Sequence, residues 1–86
     1  MNAIQKRANA LMAPILAALE SGADRSVYYQ VAEATGYTRS KARWRLRQAA
    51  VDGLAEQSEV WRKDRNALVA VWHITDAGRQ FLAARG

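Results

Sequence analysis

A change of pattern around Gly36 constrains the fold of this chain more than any other feature. Residues 27–35 before it repeat their apolar side chains at helical spacing, and residues 38–52 after it do the same. Glycine readily adopts the left-handed conformation that ends many helices, and Thr38 is a typical residue to precede the next one. The sequence therefore predicts two helices joined by a tight turn, with Ser26 as a candidate cap of the first.

The second of these helices is strongly basic. Five of the nine residues 39–47 are Arg or Lys, and none is acidic. At 100° per residue, one side of the helix is a stripe of mostly small apolar residues: Ala42, Leu46, Ala49 and Ala50. The opposite side carries polar, basic and aromatic residues: Ser40, Lys41, Arg43, Trp44, Arg47 and Gln48. Arg45 flanks the apolar stripe.

The net charge of +5 is concentrated in two short segments. Residues 39–47 contribute five positive charges, and residues 62–65 contribute three positive charges and one negative. The rest of the chain carries five basic and seven acidic residues. Charge that serves only solubility is spread over a surface, whereas clustered positive charge is typical of a surface that binds nucleic acid.

Composition excludes several classes of protein. With 86 residues the chain is predicted to form one domain, and with no cysteine it has neither disulfides nor thiolate metal ligands. A single histidine cannot build a metal site by itself, and no nucleophile–base pair or phosphate-binding glycine loop indicates an enzyme or a cofactor. Without a membrane span or a signal peptide, we expect a cytoplasmic protein of a bacterium or a bacteriophage.

An amphipathic helix is predicted for about residues 3–20, where Pro14 is expected to produce a kink or a new helix start. Its apolar stripe predicts either a contribution to the core or a homodimer surface, and the residues concerned are Leu11, Met12, Ile15 and Leu16. Residues 25–27 have the pattern of a very short strand.

A β-hairpin followed by a helix is predicted for the last third of the chain. Strand patterns cover residues 54–61 and 68–74, with a polar loop at 62–67 between them. Thr75 is the expected cap of a final helix at 76–84. The predicted fold is mainly α with a small hairpin, in the order helix, short strand, helix, helix, strand, strand, helix.

This order of elements, together with three local motifs, resembles a winged helix-turn-helix DNA-binding domain of the multiple-antibiotic-resistance repressor type. Residues 31–40 (VAEATGYTRS) resemble the turn into that family's recognition helix. Residues 52–54 (DGL) resemble its exit into the wing, and residues 72–79 (WHITDAGR) resemble the junction after the wing. The resemblance covers about residues 24–82 and leaves out the helices that members of the family use for dimerisation and effector binding.

The resemblance implies a sequence-specific transcriptional regulator that binds double-stranded DNA. Its recognition helix, residues 38–52, would enter the major groove, and the wing would contact the flanking backbone. Groove-facing residues are expected to be Arg39, Ser40, Arg43, Trp44 and Arg47. Phosphate contacts are expected from Lys41, Arg45 and the backbone amides at Thr38, and from Arg62, Lys63 and Arg65 in the wing.

Alternatives remain at this level. The basic run is also consistent with a solvated helix face, or with binding of structured RNA. Trp44 is predicted to contact thymine methyl groups, to anchor a protein partner together with Val51, or to fold back on the domain itself. The second of these roles would make the chain a protein-interaction module on a winged-helix scaffold.

The other aromatic residues are expected to have mainly structural roles. Strand patterns place Trp61 and Trp72 in the core and His73 at the surface. The three tyrosines, Tyr28, Tyr29 and Tyr37, are expected to pack, with Tyr29 or Tyr37 as a possible hydrogen-bond donor to phosphate.

Overall fold

Four helices and one antiparallel hairpin make up the fold in the computed structural model, which describes residues 3–22 and 27–85. The elements are α1 (Ala3–Ser21), α2 (Tyr28–Thr35), α3 (Arg39–Val51), β1 (Ala55–Arg62), β2 (Ala67–Ile74) and α4 (Asp76–Arg85). The predicted class, mainly α with a small hairpin, and the order of these elements are confirmed. The expected strand at 25–27 lies largely outside the described residues.

The core is formed where α1, α2 and α3 meet the base of the hairpin. α1 contributes the largest share of any element through Met12, Ile15, Leu16 and Leu19, which are all buried. These side chains are therefore used within one protomer and do not form a surface for a second copy. The helix continues through Pro14, so the expectation of a new helix start at that residue is wrong.

α3 enters the core with the predicted stripe. Ala42, Leu46 and Ala49 have no exposed surface, and Ala50 packs against the cluster. Two of the three fully buried side chains are single methyl groups, which let the backbone of α3 lie close to its neighbours. The rest of the helix circumference is left for other contacts.

The turn between α2 and α3 follows from its sequence. Gly36 has φ +76°, and its N–H donates to the carbonyl of Ala32 at 2.9 Å. Thr38 caps α3, because its Oγ1 accepts a hydrogen bond from the N–H of Lys41 at 3.1 Å. Both predicted roles are confirmed, and together they fix the direction in which α3 leaves the turn.

At the start of α2 the cap differs from the expectation. Ser26 lies outside the described residues, and the N-cap position is held by Val27 in an extended conformation (φ −85°, ψ 152°). Valine has no side-chain acceptor, so the hydrogen bond runs the other way: the Val27 N–H donates to Oε1 of Gln30 at 3.1 Å.

The hairpin pairs Ala55 with Ile74 at its base and Arg62 with Ala67 at its tip. The connecting loop is Lys63–Asn66, shorter than the predicted loop at 62–67, because Arg62 and Ala67 still pair in the hairpin. Asn66 has φ +51°, a conformation that asparagine tolerates better than most residues with a side chain. This hairpin occupies the place of the wing in the resemblance, and we use that name for it.

A junction of hydrogen bonds connects the end of α3 to the start of α4. The hydroxyl of Thr75 donates to the carbonyl of Gly53 at 2.7 Å and accepts from the N–H of Gly78 at 3.1 Å. Thr75 is therefore the cap that the sequence predicts, and it also holds the base of the wing against the segment that follows α3.

The two strand tryptophans have different environments. Trp72 is 4% exposed and belongs to the core, as predicted. The expectation that Trp61 is also buried is wrong, since it is 58% exposed and pairs with the exposed Leu68. Trp61 lies near the tip of the wing, where the hairpin extends past the helices that cover its base.

His73 is half-buried rather than fully at the surface, and its Nε2 lies 2.8 Å from Oγ of Ser58.

Within the described part of the chain, none of the helices combines the length and the hydrophobicity that crossing a lipid bilayer requires.

Candidate nucleic-acid interface

The face of α3 away from the core is basic and open to solvent. Its exposed side chains are Arg39, Ser40, Lys41, Arg43, Trp44, Arg47 and Val51. Arg45 and Gln48 are half-buried at the edge of the core stripe. One helix thus brings five of the predicted cationic side chains together along less than three turns.

The positive charge of this face is not neutralised by neighbouring acids. Among residues 10–22 and 27–84, whose side chains the structure describes, the ion pairs are Arg62–Asp64 and Arg79–Asp76, each with an N–O distance of 3.1 Å. Neither involves a basic residue of α3. Cations that are not paired with acids are free to neutralise the phosphates of a polyanion such as a nucleic-acid backbone.

Two tyrosines in the first turn of α2 hold arginines of α3. Cζ of Arg39 lies 5.8 Å from the centre of the Tyr29 ring, and Cζ of Arg43 lies 5.7 Å from that of Tyr28. The two rings meet edge to face with their centres 5.8 Å apart. Cation–π contacts at these distances restrict the arginines without neutralising their charge.

Tyr29 also contacts the wing. Cζ of Arg65, in the loop at the tip, lies 5.5 Å from the centre of the Tyr29 ring. One aromatic ring is therefore shared by an arginine of α3 and an arginine of the wing. The predicted cationic segments at 39–47 and 62–65, far apart in sequence, meet at this side chain.

The other flank of α3 is organised by Tyr37 and Trp44. The ammonium of Lys41 lies 4.4 Å from the centre of the Tyr37 ring, whose hydroxyl donates to the carbonyl of Leu11 at 3.1 Å. That hydroxyl is therefore engaged within the fold. Cζ of Arg45 lies 4.7 Å from the ring of Trp44. The Nε of Arg45 is buried without a hydrogen-bond partner among the described residues.

Trp44 is 56% exposed. The alternative in which it folds back against the wing or α1 is therefore wrong, because more than half of the side chain is open to solvent, and the ring lies against Arg45. Val51, two turns further along, is 79% exposed. The two alternatives in which Trp44 contacts another molecule remain.

At the tip of the wing the three predicted basic residues have different partners. Arg62 donates to Asp64, and this hydrogen bond lowers the pKa of the Asp64 carboxyl and raises the pKa of the Arg62 guanidinium. Lys63 is exposed to solvent, and Arg65 contacts Tyr29. Arg62 is consequently the one whose charge is partly compensated.

A cleft of about 300 Å³ lies between α3, the start of α2 and the wing. Its polar wall includes Arg43, Arg47 and Arg65, and its aromatic wall includes Tyr28, Tyr29 and Trp72. Val27, Gln57, Val69 and Ala70 complete the lining, and no acidic residue is part of it. We call this the arginine cleft. It places Arg43 and Arg47, expected to face a groove, beside the wing.

Sequence reasoning missed the part played by Tyr28 and Tyr29. They were expected to pack, but their rings form the platform on which arginines of two separate segments lie. The signal was present as two adjacent aromatic residues at the start of a short helix.

In the described part of the chain, no three His, Asp or Glu side chains come together as metal ligands would.

No protein-family model and no curated protein matches the sequence. Among solved structures, a Thermoplasma acidophilum protein assigned as a transcriptional regulator superposes with a TM-score of 0.77 at 21% identity, over 95% of this chain and 82% of that one. Diamide-treated YodB from B. subtilis gives 0.70 at 14% identity, over 98% and 84%.

A MarR-family transcriptional regulator from Silicibacter pomeroyi gives a TM-score of 0.68 at 21% identity, over 98% of this chain and 62% of that one. At identities this low, the likeness establishes the fold. The chain therefore has a winged helix-turn-helix fold similar to that of MarR-family transcription regulators.

Proposed function

We propose that this protein is a transcriptional regulator that binds double-stranded DNA in a sequence-specific way. The observation that carries the proposal is the exposed, unpaired basic face of α3 on a winged helix-turn-helix scaffold. Enzymatic activity is not part of the proposal. A regulator of this kind acts where DNA lies, which in a bacterium, or a bacterium infected by a phage, is the cytoplasm.

In the proposed complex α3 enters the major groove and the wing contacts the flanking backbone. Arg39, Ser40 and Arg47 supply polar groups to base edges or phosphates, and Trp44 offers an apolar surface to thymine methyl groups. Lys41, Arg45 and the amides at the Thr38 end of α3 are phosphate contacts. In the wing, the phosphate contacts are Arg62, Lys63 and Arg65.

Selection of duplexes from a random pool, followed by fluorescence anisotropy, tests this function. We expect enrichment of a defined sequence, and Arg47→Gln should weaken binding to it by about 1–3 kcal/mol. Arg79→Gln is the matched control, since Arg79 is an exposed arginine paired with Asp76 on α4. Equal losses in both variants, or a preference for structured RNA over every duplex, would rule out the proposal.

A homodimer through α1 would suit a two-fold DNA site. Of the residues expected to form it, Met12, Ile15 and Leu16 are buried in the protomer and Leu11 is half-buried, so the proposed contact uses the exposed side of the helix, at Ala10, Pro14 and Ala17. Light scattering across a concentration series checks this. A mass of one protomer at every concentration, with and without DNA, would remove the dimer from the account.

The exposure of Trp44 and Val51 supports a second candidate, in which the same face binds a protein. The two functions differ in what Trp44→Ala changes. If Trp44 contacts DNA, the variant loses affinity for the selected duplex. If it anchors a protein, affinity for the duplex is unchanged, and a partner recovered after nuclease treatment is lost from the variant.

A further inference from the structure

The arginine cleft has the chemistry of a site for a phosphate group. Three guanidinium groups line it and no carboxylate does. In the described residues, none of Arg43, Arg47 or Arg65 is in an ion pair. Converging cations without a counter-charge are stable when an anion fills the space between them.

Two of the three arginines are held in place before any anion arrives. Arg43 lies against Tyr28 and Arg65 lies against Tyr29, at 5.7 and 5.5 Å from the ring centres. Arginine that is fixed by stacking loses less freedom when its N–H groups engage an anion. The cleft is thus preorganised on its polar side.

The remaining wall is apolar except for Gln57, and this decides which phosphate compound fits. Val27, Val69, Ala70 and Trp72 line it, and Trp72 is 4% exposed. A volume of about 300 Å³ is at the small end of ligand clefts and exceeds the need of a lone phosphate. A sugar attached to the phosphate would cover this apolar wall.

We propose that the arginine cleft binds one sugar-phosphate unit, with its phosphate on Arg43, Arg47 and Arg65 and its sugar on the apolar wall. The unit can come from the backbone of bound DNA or from a free nucleotide. The first source rests on the proposed function. In either case Arg43 and Arg65 act together on one phosphate, so α3 and the wing are joined through the ligand.

The test for the DNA source uses the selected duplex with one methylphosphonate linkage at a time, which removes a single phosphate charge. The intact protein should lose about tenfold in affinity at one linkage, the gain expected from charge-assisted hydrogen bonds. Arg43→Gln and Arg65→Gln should each bind more weakly but lose nothing further at that linkage. Arg79→Gln should keep the full loss.

The test for the free source is a titration with thymidine 5′-monophosphate, measured by isothermal titration calorimetry. Saturable binding that Arg43→Gln and Arg65→Gln weaken about tenfold, and Arg79→Gln does not, identifies a free nucleotide as an occupant. Tyr29→Phe keeps the ring and should behave as the intact protein, whereas Tyr29→Leu should bind more weakly.

The outcomes separate this inference from the proposed function. If no duplex binds, the proposed function fails and the nucleotide titration alone decides the inference. If the duplex binds but no linkage depends on Arg43 and Arg65, and the nucleotide does not saturate, the sugar-phosphate site is overturned while the proposed function stands.

Discussion

The ring of Tyr29 contacts two guanidinium groups, those of Arg39 and Arg65, which are 26 positions apart in the chain. Arg39 belongs to α3 and Arg65 to the wing, so the two contacts come from separate segments of the chain. Because cation–π attraction leaves the charge in place, the ring positions the arginines and keeps them able to bind an anion. The wing is held toward α3 without a buried ion pair.

The two strand tryptophans give a residue-scale prediction about stability. Trp72→Ala should lower the free energy of unfolding by about 3–5 kcal/mol, because it removes a large side chain from the core. Trp61→Ala should change it by less than about 0.5 kcal/mol, since Trp61 is mostly exposed. Urea denaturation measures both, and similar losses in the two variants would contradict the burial pattern.

These tryptophans also indicate where sequence reasoning fails. Both lie in strand patterns, and alternation alone gives them the same environment. What separates them is how far the helices reach along the hairpin: they cover its base at Trp72 but not its tip at Trp61. That limit is set by tertiary packing, which no local pattern contains.

At the scale of elements, the tightest constraint lies where β2 turns into α4. A Cβ at Gly78 would overlap the backbone carbonyl of Leu54 and come within 2.7 Å of Ile74 Cγ1. Gly78→Ala should therefore cost about 1–3 kcal/mol of unfolding free energy through overpacking. Thermal denaturation measures it.

Gly53→Ala is the matched control for Gly78→Ala. Gly53 has φ +76° and open space around it, so the expected cost, about 1–2 kcal/mol, comes from the backbone conformation alone. The overlap at Gly78 is mainly with the backbone carbonyl of Leu54, so a larger side chain should meet it more severely, and Gly78→Val should cost more than Gly78→Ala. Equal losses in the two variants would show that the cost there is not steric.

A second element-scale prediction concerns charge at the tip of the wing. Asp64→Asn removes the partner of Arg62, and in the proposed complex it should strengthen DNA binding and steepen its salt dependence by up to about 0.9 in log–log slope. The hydrogen bond from Arg62 lowers the pKa of Asp64, so the carboxyl stays ionised between about pH 7 and about pH 5.

Lowering the pH over that range should therefore not reproduce the effect of Asp64→Asn. Glu33→Gln on α2 removes one exposed negative charge away from the loop and serves as the control. If both variants strengthen binding equally, the gain reflects net charge and not the freed Arg62.

The helices and their caps were accessible from the sequence because their causes are local. Gly36, Thr38 and Thr75 each act within a few residues, and the small-residue stripe of α3 repeats at helical spacing. The arginine cleft was not accessible, since its walls come from three elements. Which side of α3 faces the wing depends on how the hairpin docks, and this docking brings Arg65 to the ring of Tyr29.

For the molecule as a whole, the composition of α3 explains why positive charge is concentrated on one side of the protein. Its core stripe uses small residues, so the helix is anchored closely while most of its circumference carries positive charge. In the described residues, the acids that form ion pairs are Asp64 and Asp76, and their partners are Arg62 and Arg79. These pairs leave the positive charge of α3 without a neighbouring negative charge. One side of the protein is therefore suited to a polyanion.

The salt dependence of duplex binding tests this central claim most directly. If about five of the basic side chains of α3 and the wing neutralise phosphates, the logarithm of the binding constant should fall linearly with the logarithm of salt concentration, with a slope of about −4 to −5 per protomer. A slope near zero across the same range, with binding retained, would contradict the account.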